Sequence, residues 1–463
     1  MAESNHIPLF LGLKLLHVFS IGCIGSAQFY LPTFFSKVLN LGADKIGFIL
    51  SIIPFVSCIS FSLWMSWADK TQQYKKIMVI NMLIGLMFIL FISLVASITR
   101  NEWTTTLLVS ISYFGYAFFA YPIVGTMVDC ATLRVLGDRK QQLYGRQKSF
   151  TPVGFGASVF LTGLCIELWG PFAVFGVFAT CVLTFVFICF ITDLSPYPWP
   201  TTLKTTISHH DNNVVIDNQD EEDDEDIDKP SPSTSMWDFI EQPEAMRFFV
   251  VMTFLGITMG IVTGYLFLFI EKDLNGSPAL VGLLGPLASC TEIVCFYFAK
   301  NIFKWLGPRK MLIIAHIVLV IRCIIYMITT TISSGAYLAA ASQPLHGICF
   351  SFLWSAGVVE ADNIAPPALK ARAQGILGTA YLGLGAGIGA LCGFAYEYWG
   401  GIGLWCLTMI ITLVSLFIYT SSGIDRLFHW LCNIIRQRRR GAYTAIASHS
   451  RHNDEDIIKD DNE

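Results

Sequence analysis

Twelve apolar runs, each long enough to cross a bilayer, constrain this chain more than any other feature. A membrane-spanning helix needs about 20 apolar residues, because each residue rises about 1.5 Å through a hydrocarbon layer about 30 Å thick. Such runs lie at 9–35, 45–67, 77–98, 105–129, 149–167 and 170–192, and again at 247–270, 278–299, 311–331, 337–361, 374–395 and 402–422. Lipid offers no hydrogen bonds to the backbone, so runs of this length fold as helices. The pattern of six, a polar gap and six predicts an all-α membrane protein, with twelve transmembrane helices in two pseudo-symmetric six-helix halves.

Charge supports this reading. Only 14% of the 463 residues are charged, against about 25% in a soluble domain. That is too few to cover a water-facing surface, which excludes a soluble enzyme, a nucleic-acid binder and a disordered scaffold. The first run, about 27 residues long, exceeds the 7–15 of a signal-peptide core and is expected to stay as the first helix. In the short loops, fourteen Lys and Arg fall on one side, and four (Lys37, Lys45, Arg100 and Lys272) on the other. The positive-inside rule then puts both termini and the central gap in the cytosol, of the plasma membrane or an organelle. None of the thirteen cysteines lies in a loop expected outside, so no disulfide framework is implied.

Four segments follow: a first half at 1–192, an acidic linker at 193–246, a second half at 247–423 and a cytosolic tail at 424–463. The linker holds 2 basic and 14 acidic residues, a net −12, including an unbroken acidic run from Asp220 to Asp226. Such a block repels itself and is expected to be disordered. In the tail, Leu427, Phe428, Leu431, Ile434 and Ile435 recur at helical spacing beside Arg426, Arg436 and Arg438–Arg440. That pattern suits a helix on an anionic leaflet, where Cys432 is either a palmitoylation site or a plain anchor residue.

An ionisable residue inside a bilayer costs about 2.5–3.5 kcal/mol on insertion scales and therefore asks for a function. Lys14, Asp129, Glu167, Glu360 and Asp362 fall near helix ends. Glu292, Arg322 and His346 fall deep in helices 8, 9 and 10. Their depths differ by roughly 10 Å at 1.5 Å per residue, so an acid, a base and an imidazole on consecutive helices can satisfy one another. His17, Gln28, Tyr30, Tyr121 and Tyr265 are polar-tipped groups at the depth of a central cavity and are candidates to line it. No phosphate loop, metal-spaced Cys/His pair or nucleophile elbow is present. No cofactor is therefore implied, and without a nucleotide motif any transport would be secondary.

Several segments carry a resemblance. Trp67-Ala68-Asp69-Lys70 with Lys75 and Lys76, and Lys304-Trp305-Leu306-Gly307-Pro308-Arg309-Lys310, occupy the loops between helices 2 and 3 and helices 8 and 9. Gln28-Phe29-Tyr30-Leu31-Pro32, Tyr144-Gly145-Arg146-Gln147, Pro344-Leu345-His346-Gly347, the segment Ala365 to Gly375 and the glycine run Gly383 to Gly393 add to them. The chain resembles major facilitator transporters of the branch with lactose permease-like and nucleoside–proton symporter-like proteins. Met65 stands where the loop motif has a glycine, and Phe350 where that permease has a second carboxylate.

The resemblance implies alternating access by rocking of two halves. It implies that Asp69, Lys70, Lys75, Lys76, Arg146, Arg309 and Lys310 serve as cytosolic gate loops. It also implies that Glu292 takes the proton or substrate hydroxyls, with Arg322 and His346 tuning and coupling it. The expected function is secondary active transport, a proton-coupled symport of a small polar or amphipathic solute, sugar- or nucleoside-like, by a monomer in a lipid bilayer. An uncoupled facilitator or exporter is the alternative within transport. A membrane sensor or scaffold that signals through the acidic linker is the alternative outside it.

Overall fold

A computed structural model describes residues 10–137, 140–197, 236–366, 369–437 and 439. The acidic run, the Ser231–Ser235 cluster, Arg139, Arg438, Arg440 and the end of the tail lie outside the described residues. Among the described residues there is no strand, and ten helices are long and apolar enough to cross a membrane. In chain order the first six elements are α1 (Leu11–Lys37), α2 (Ala43–Thr71), α3 (Tyr74–Ile98), α4 (102–136), α5 (Leu143–Trp169) and α6 (Ala173–Ile191). The other six are α7 (Pro243–Lys272), α8 (Pro278–Tyr297), α9 (308–329), α10 (335–364), α11 (370–399) and α12 (401–420).

The breaks have local causes. The runs expected as unbroken spans at 105–129 and 337–361 are interrupted in α4 and α10. The first splits into Glu102–Phe119, π-helical turns at Ile123–Met127 and Val128–Leu136; the second splits into Gly335–Ala341 and Pro344–Ile364. Pro122 and Pro344 stand at those junctions, and each removes a backbone donor. Gly307 at φ 70, just before Pro308, starts α9 afresh. Gly400 at φ 68 separates α11 from α12, so that 393–399 stay with α11 against α2. Where chain enters lipid from the loops, Asn101 accepts from the Thr104 N–H and Ser277 from the Leu280 N–H, capping α4 and α8.

Side-chain exposure matches a lipid belt. Ile59, Met87, Phe187, Phe190 and Phe417 are exposed, which water would penalise and hydrocarbon does not. Trp103, Trp169, Tyr398 and Trp399 ring the face away from the termini, and Trp67, Tyr297 and Trp305 ring the face toward them, as amphipathic rings do at membrane interfaces. We call these the far side and the termini side.

The halves meet from mid-depth to the far side. Small residues permit it, as expected where lipid supplies no hydrophobic drive between helices. Gly156 of α5 packs on Pro286 and Ser289 of α8, and Gly163 on Pro278 and Gly282. On the opposite flank Gly47 of α2 packs on Ala390 and Gly393 of α11, and Gly383 on Cys58. Phe267 of α7 meets Phe29 and Tyr30 of α1 at centroid distances of 5.3 Å. Toward the termini Gly375 and Gly378 of α11 face open space.

Candidate functional site

Between α8, α9 and α10 the three deep ionisable residues are unequally placed. Gly347 seats α10 directly on the α8 backbone at Ala288 and Glu292, because a side chain there would collide with both. This brings His346, one residue earlier, to the same level. His346 stacks on Phe350 at 6.3 Å with the rings 4° apart, and its Nδ1 is buried without a hydrogen-bond partner. Arg322 is completely buried. Its Nη2 donates to the Tyr326 hydroxyl at 2.7 Å, and the Gln343 amide donates to the same oxygen at 3.2 Å. Among the described residues, Arg322 Nε and Nη1 have no hydrogen-bond partner.

Glu292 is half-buried, and among the described residues it forms no ion pair with Arg322 or any other base. Arg322 is tied to α10 through Tyr326 and Gln343, and the Glu292 backbone meets α10 at Gly347, but among the described residues no hydrogen bond or ion pair joins the three side chains. A carboxylate of this kind is free to take a proton or a solute hydroxyl.

A second polar group, in the first half, joins the candidate His17 to Asp129 and Lys148, a pairing the sequence does not reveal. His17 of α1 is buried, with Nε2 3.2 Å from the Thr132 hydroxyl and Nδ1 3.7 Å from Asp129 on α4. Lys148 of α5 donates to both Asp129 oxygens at 2.9 and 2.7 Å. Asp129 reads in the sequence as a helix-end charge because the π-helical turns at Ile123–Met127, which set its direction just downstream, leave no clear mark in the residues. His17 therefore packs α1 on α4 rather than standing alone.

The remaining candidates divide. Tyr30 donates to the Val159 carbonyl at 2.7 Å and Tyr265 to that of Ala390, each tying two helices of one half together. Tyr121 stacks on Phe61 at 6.1 Å and meets Tyr116 edge-on at 6.4 Å. Near it the Tyr116 hydroxyl and Gln28 Oε1 are buried without hydrogen-bond partners among the described residues.

The loop charges bond within their own halves. Lys75 donates to the carbonyls of Phe190 and Thr192 at 2.9 and 3.0 Å, and the Tyr74 hydroxyl donates to Asp69, with Arg134 over its ring. Lys70, Lys76, Arg146, Arg309 and Lys310 are exposed.

The tail helix, 425–437, lies on the protein. Arg247 pairs with Asp425, Arg436 donates to the Glu241 carbonyl at 3.0 Å, and Arg439 bonds Asp238. Phe428 and Cys432 are buried there, with Cys432 Sγ 3.8 Å from Met246 Sδ. Burial pushes the Cys432 thiol up, which disfavours the thiolate that acylation needs. Among the described residues no group of His, Cys, Asp and Glu is arranged to hold a metal ion.

Residues 10–407 match the MFS_1 like family. The chain is 21% identical over 392 residues to the uncharacterized transporter YwbF of Bacillus subtilis, covering 83% of this chain and 85% of that protein. Its fold is similar to the crystal structure of the nucleoside transporter NupG (TM-score 0.70, 16% identity, 90% of this chain and 100% of that one). It is also similar to a bacterial homologue of the iron transporter ferroportin in its inward-facing state (TM-score 0.60, 12% identity, 90% and 98%).

Proposed function

The chain belongs to the MFS_1 like family and is a multi-pass membrane transporter, and from that premise we propose that it is a proton-coupled symporter of a small polar solute, nucleoside- or sugar-like. The observation that carries this reading is Glu292, a half-buried carboxylate with no basic partner among the described residues, on a helix whose backbone at Glu292 meets α10 at Gly347, next to His346. A carboxylate whose charge is left uncompensated in a low dielectric favours the protonated form, and a nearby solute or guanidinium shifts that balance. Binding of proton and solute can thus be linked through one group. The Asp129, Lys148 and His17 group is a second polar cluster, in the other half. The likeness to a nucleoside transporter supports a hydroxyl-rich solute.

Halves joined on the far side and parted toward the termini correspond to an inward-facing state if the termini are cytosolic, as the loop charges imply. On this reading 1–192 and 247–423 are the rocking halves, and 193–246 and 424–463 are cytosolic. The transporter acts as a monomer.

The test is uptake into proteoliposomes of whichever nucleoside or sugar stabilises the purified protein thermally. Uptake should follow an imposed pH gradient. Uptake that continues unchanged when the gradient is collapsed contradicts proton coupling.

A further inference from the structure

The far-side seam is held by three carboxylates, and two of them repeat each other across the molecule. Glu397, at the far-side end of α11, accepts a hydrogen bond from the Ala43 N–H at 2.6 Å. Ala43 is the first residue of α2, with Gly42 as its N-cap. The first N–H groups of a helix have no partner within it and carry partial positive charge, so a carboxylate from the other half is a favourable acceptor. Glu167, at the far-side end of α5, does the same for the Ala279 N–H in the first turn of α8, at 3.2 Å. Under the six-helix repeat α5 corresponds to α11, and α8 to α2.

The match extends one helical turn inward. Gly163 precedes Glu167 by four residues and Gly393 precedes Glu397 by four. Each glycine admits the partner backbone, at the Pro278 carbonyl in one case and the Ala43 carbonyl in the other. The close approach brings each carboxylate within reach of the opposite helix start. Between the two, α1 and α7 are joined by Lys37, which donates to the buried Glu271 at 2.6 Å.

We propose that Glu167 and Glu397 are a matched pair of latches, positioning residues that keep the far side shut and must both release for it to open. This rests on transport by alternating access, and not on proton coupling or on the identity of the solute.

The test uses the full chain in far-side-out vesicles, with Thr33→Cys, buried beside the Lys37–Glu271 pair, as a reporter for a membrane-impermeant maleimide. Chain without the reporter gives the background from native cysteines. Removing one charged hydrogen bond, Glu167→Ala or Glu397→Ala, should speed labelling roughly tenfold, and removing both should multiply the effects if the latches are independent. Gln at either position keeps a carbonyl acceptor and should fall between parent and Ala. Thr162→Ala, which removes a bond inside one half, controls for general loosening and should leave labelling at the parent rate. Unchanged labelling in the double variant overturns the proposal, and so does acceleration by only one of the two single variants. Because no solute or gradient is used, failure of the symport reading would not affect the result.

Discussion

Arg322 donates to the hydroxyl of Tyr326, one helical turn further along α9, at 2.7 Å, while its Nε and Nη1 are buried without an oxygen or nitrogen partner among the described residues. A buried guanidinium with two unpartnered nitrogens is costly, and the Tyr326 oxygen offsets part of that cost. Tyr326→Phe removes the acceptor. It should lower stability by about 1.5–3 kcal/mol, measured as a shift in the unfolding midpoint of purified protein. The Gln343 amide loses the same partner, so Gln343→Leu in the Tyr326→Phe background should cost less than it does in the parent chain.

At the far side, Lys37 and Glu271 bridge α1 and α7, with the Glu271 side chain 2% exposed and that of Lys37 44% exposed. Removing the lysine leaves a buried carboxylate without its cation, so the two residues should be strongly coupled. Lys37→Met alone should destabilise the protein, and Glu271→Gln added to it should restore part of the loss. A double-mutant cycle on thermal unfolding should give a coupling of about 1 kcal/mol or more, since one partner stays out of solvent.

Gly47 touches Ala390, Gly393 and the Tyr265 hydroxyl across the seam. Gly47→Leu should stop transport by holding the far side open, because any side chain must displace backbone that has no room to move. Helical content by circular dichroism should be retained while flux falls by at least an order of magnitude, because the helices of each half still pack within themselves.

At the termini side, Glu241 is 2% exposed and faces Arg436 of the tail helix at 3.6 Å and Arg439, just beyond it, at 3.2 Å. Glu241→Gln should loosen the tail, as it leaves Arg436 and Arg439 without the buried negative charge they face. Limited proteolysis should cut the tail faster in the variant, with transport unchanged.

Much of the architecture was legible in the residues. Hydropathy marks the spans, because lipid forces backbone pairing within each helix. It marks α4 and α10 poorly, since Pro122 and Pro344 break runs whose composition looks continuous. The site was legible in part. Glu292, Arg322 and His346 stand out because charge inside a bilayer is rare. Asp129 and Lys148 do not, because their pairing depends on the π-helical turns in α4 and on where α5 enters the membrane. Glu167 reads as a helix-end charge and Glu397, just beyond the run at 374–395, is not singled out; only the close glycine contacts reveal what they reach. Tyr30 and Tyr265 look like cavity residues by depth, yet bond to carbonyls within their own halves, a choice that one-dimensional depth cannot encode.

The most direct measurement compares two assays of Glu292→Gln in proteoliposomes, with the stabilising nucleoside or sugar as solute. Gradient-driven uptake requires the carboxyl to gain and lose a proton, whereas equilibrium exchange of solute across the membrane does not. The variant should lose gradient-driven accumulation while exchange persists. Gradient-driven accumulation at the parent level would contradict the role of Glu292 as the coupling carboxylate.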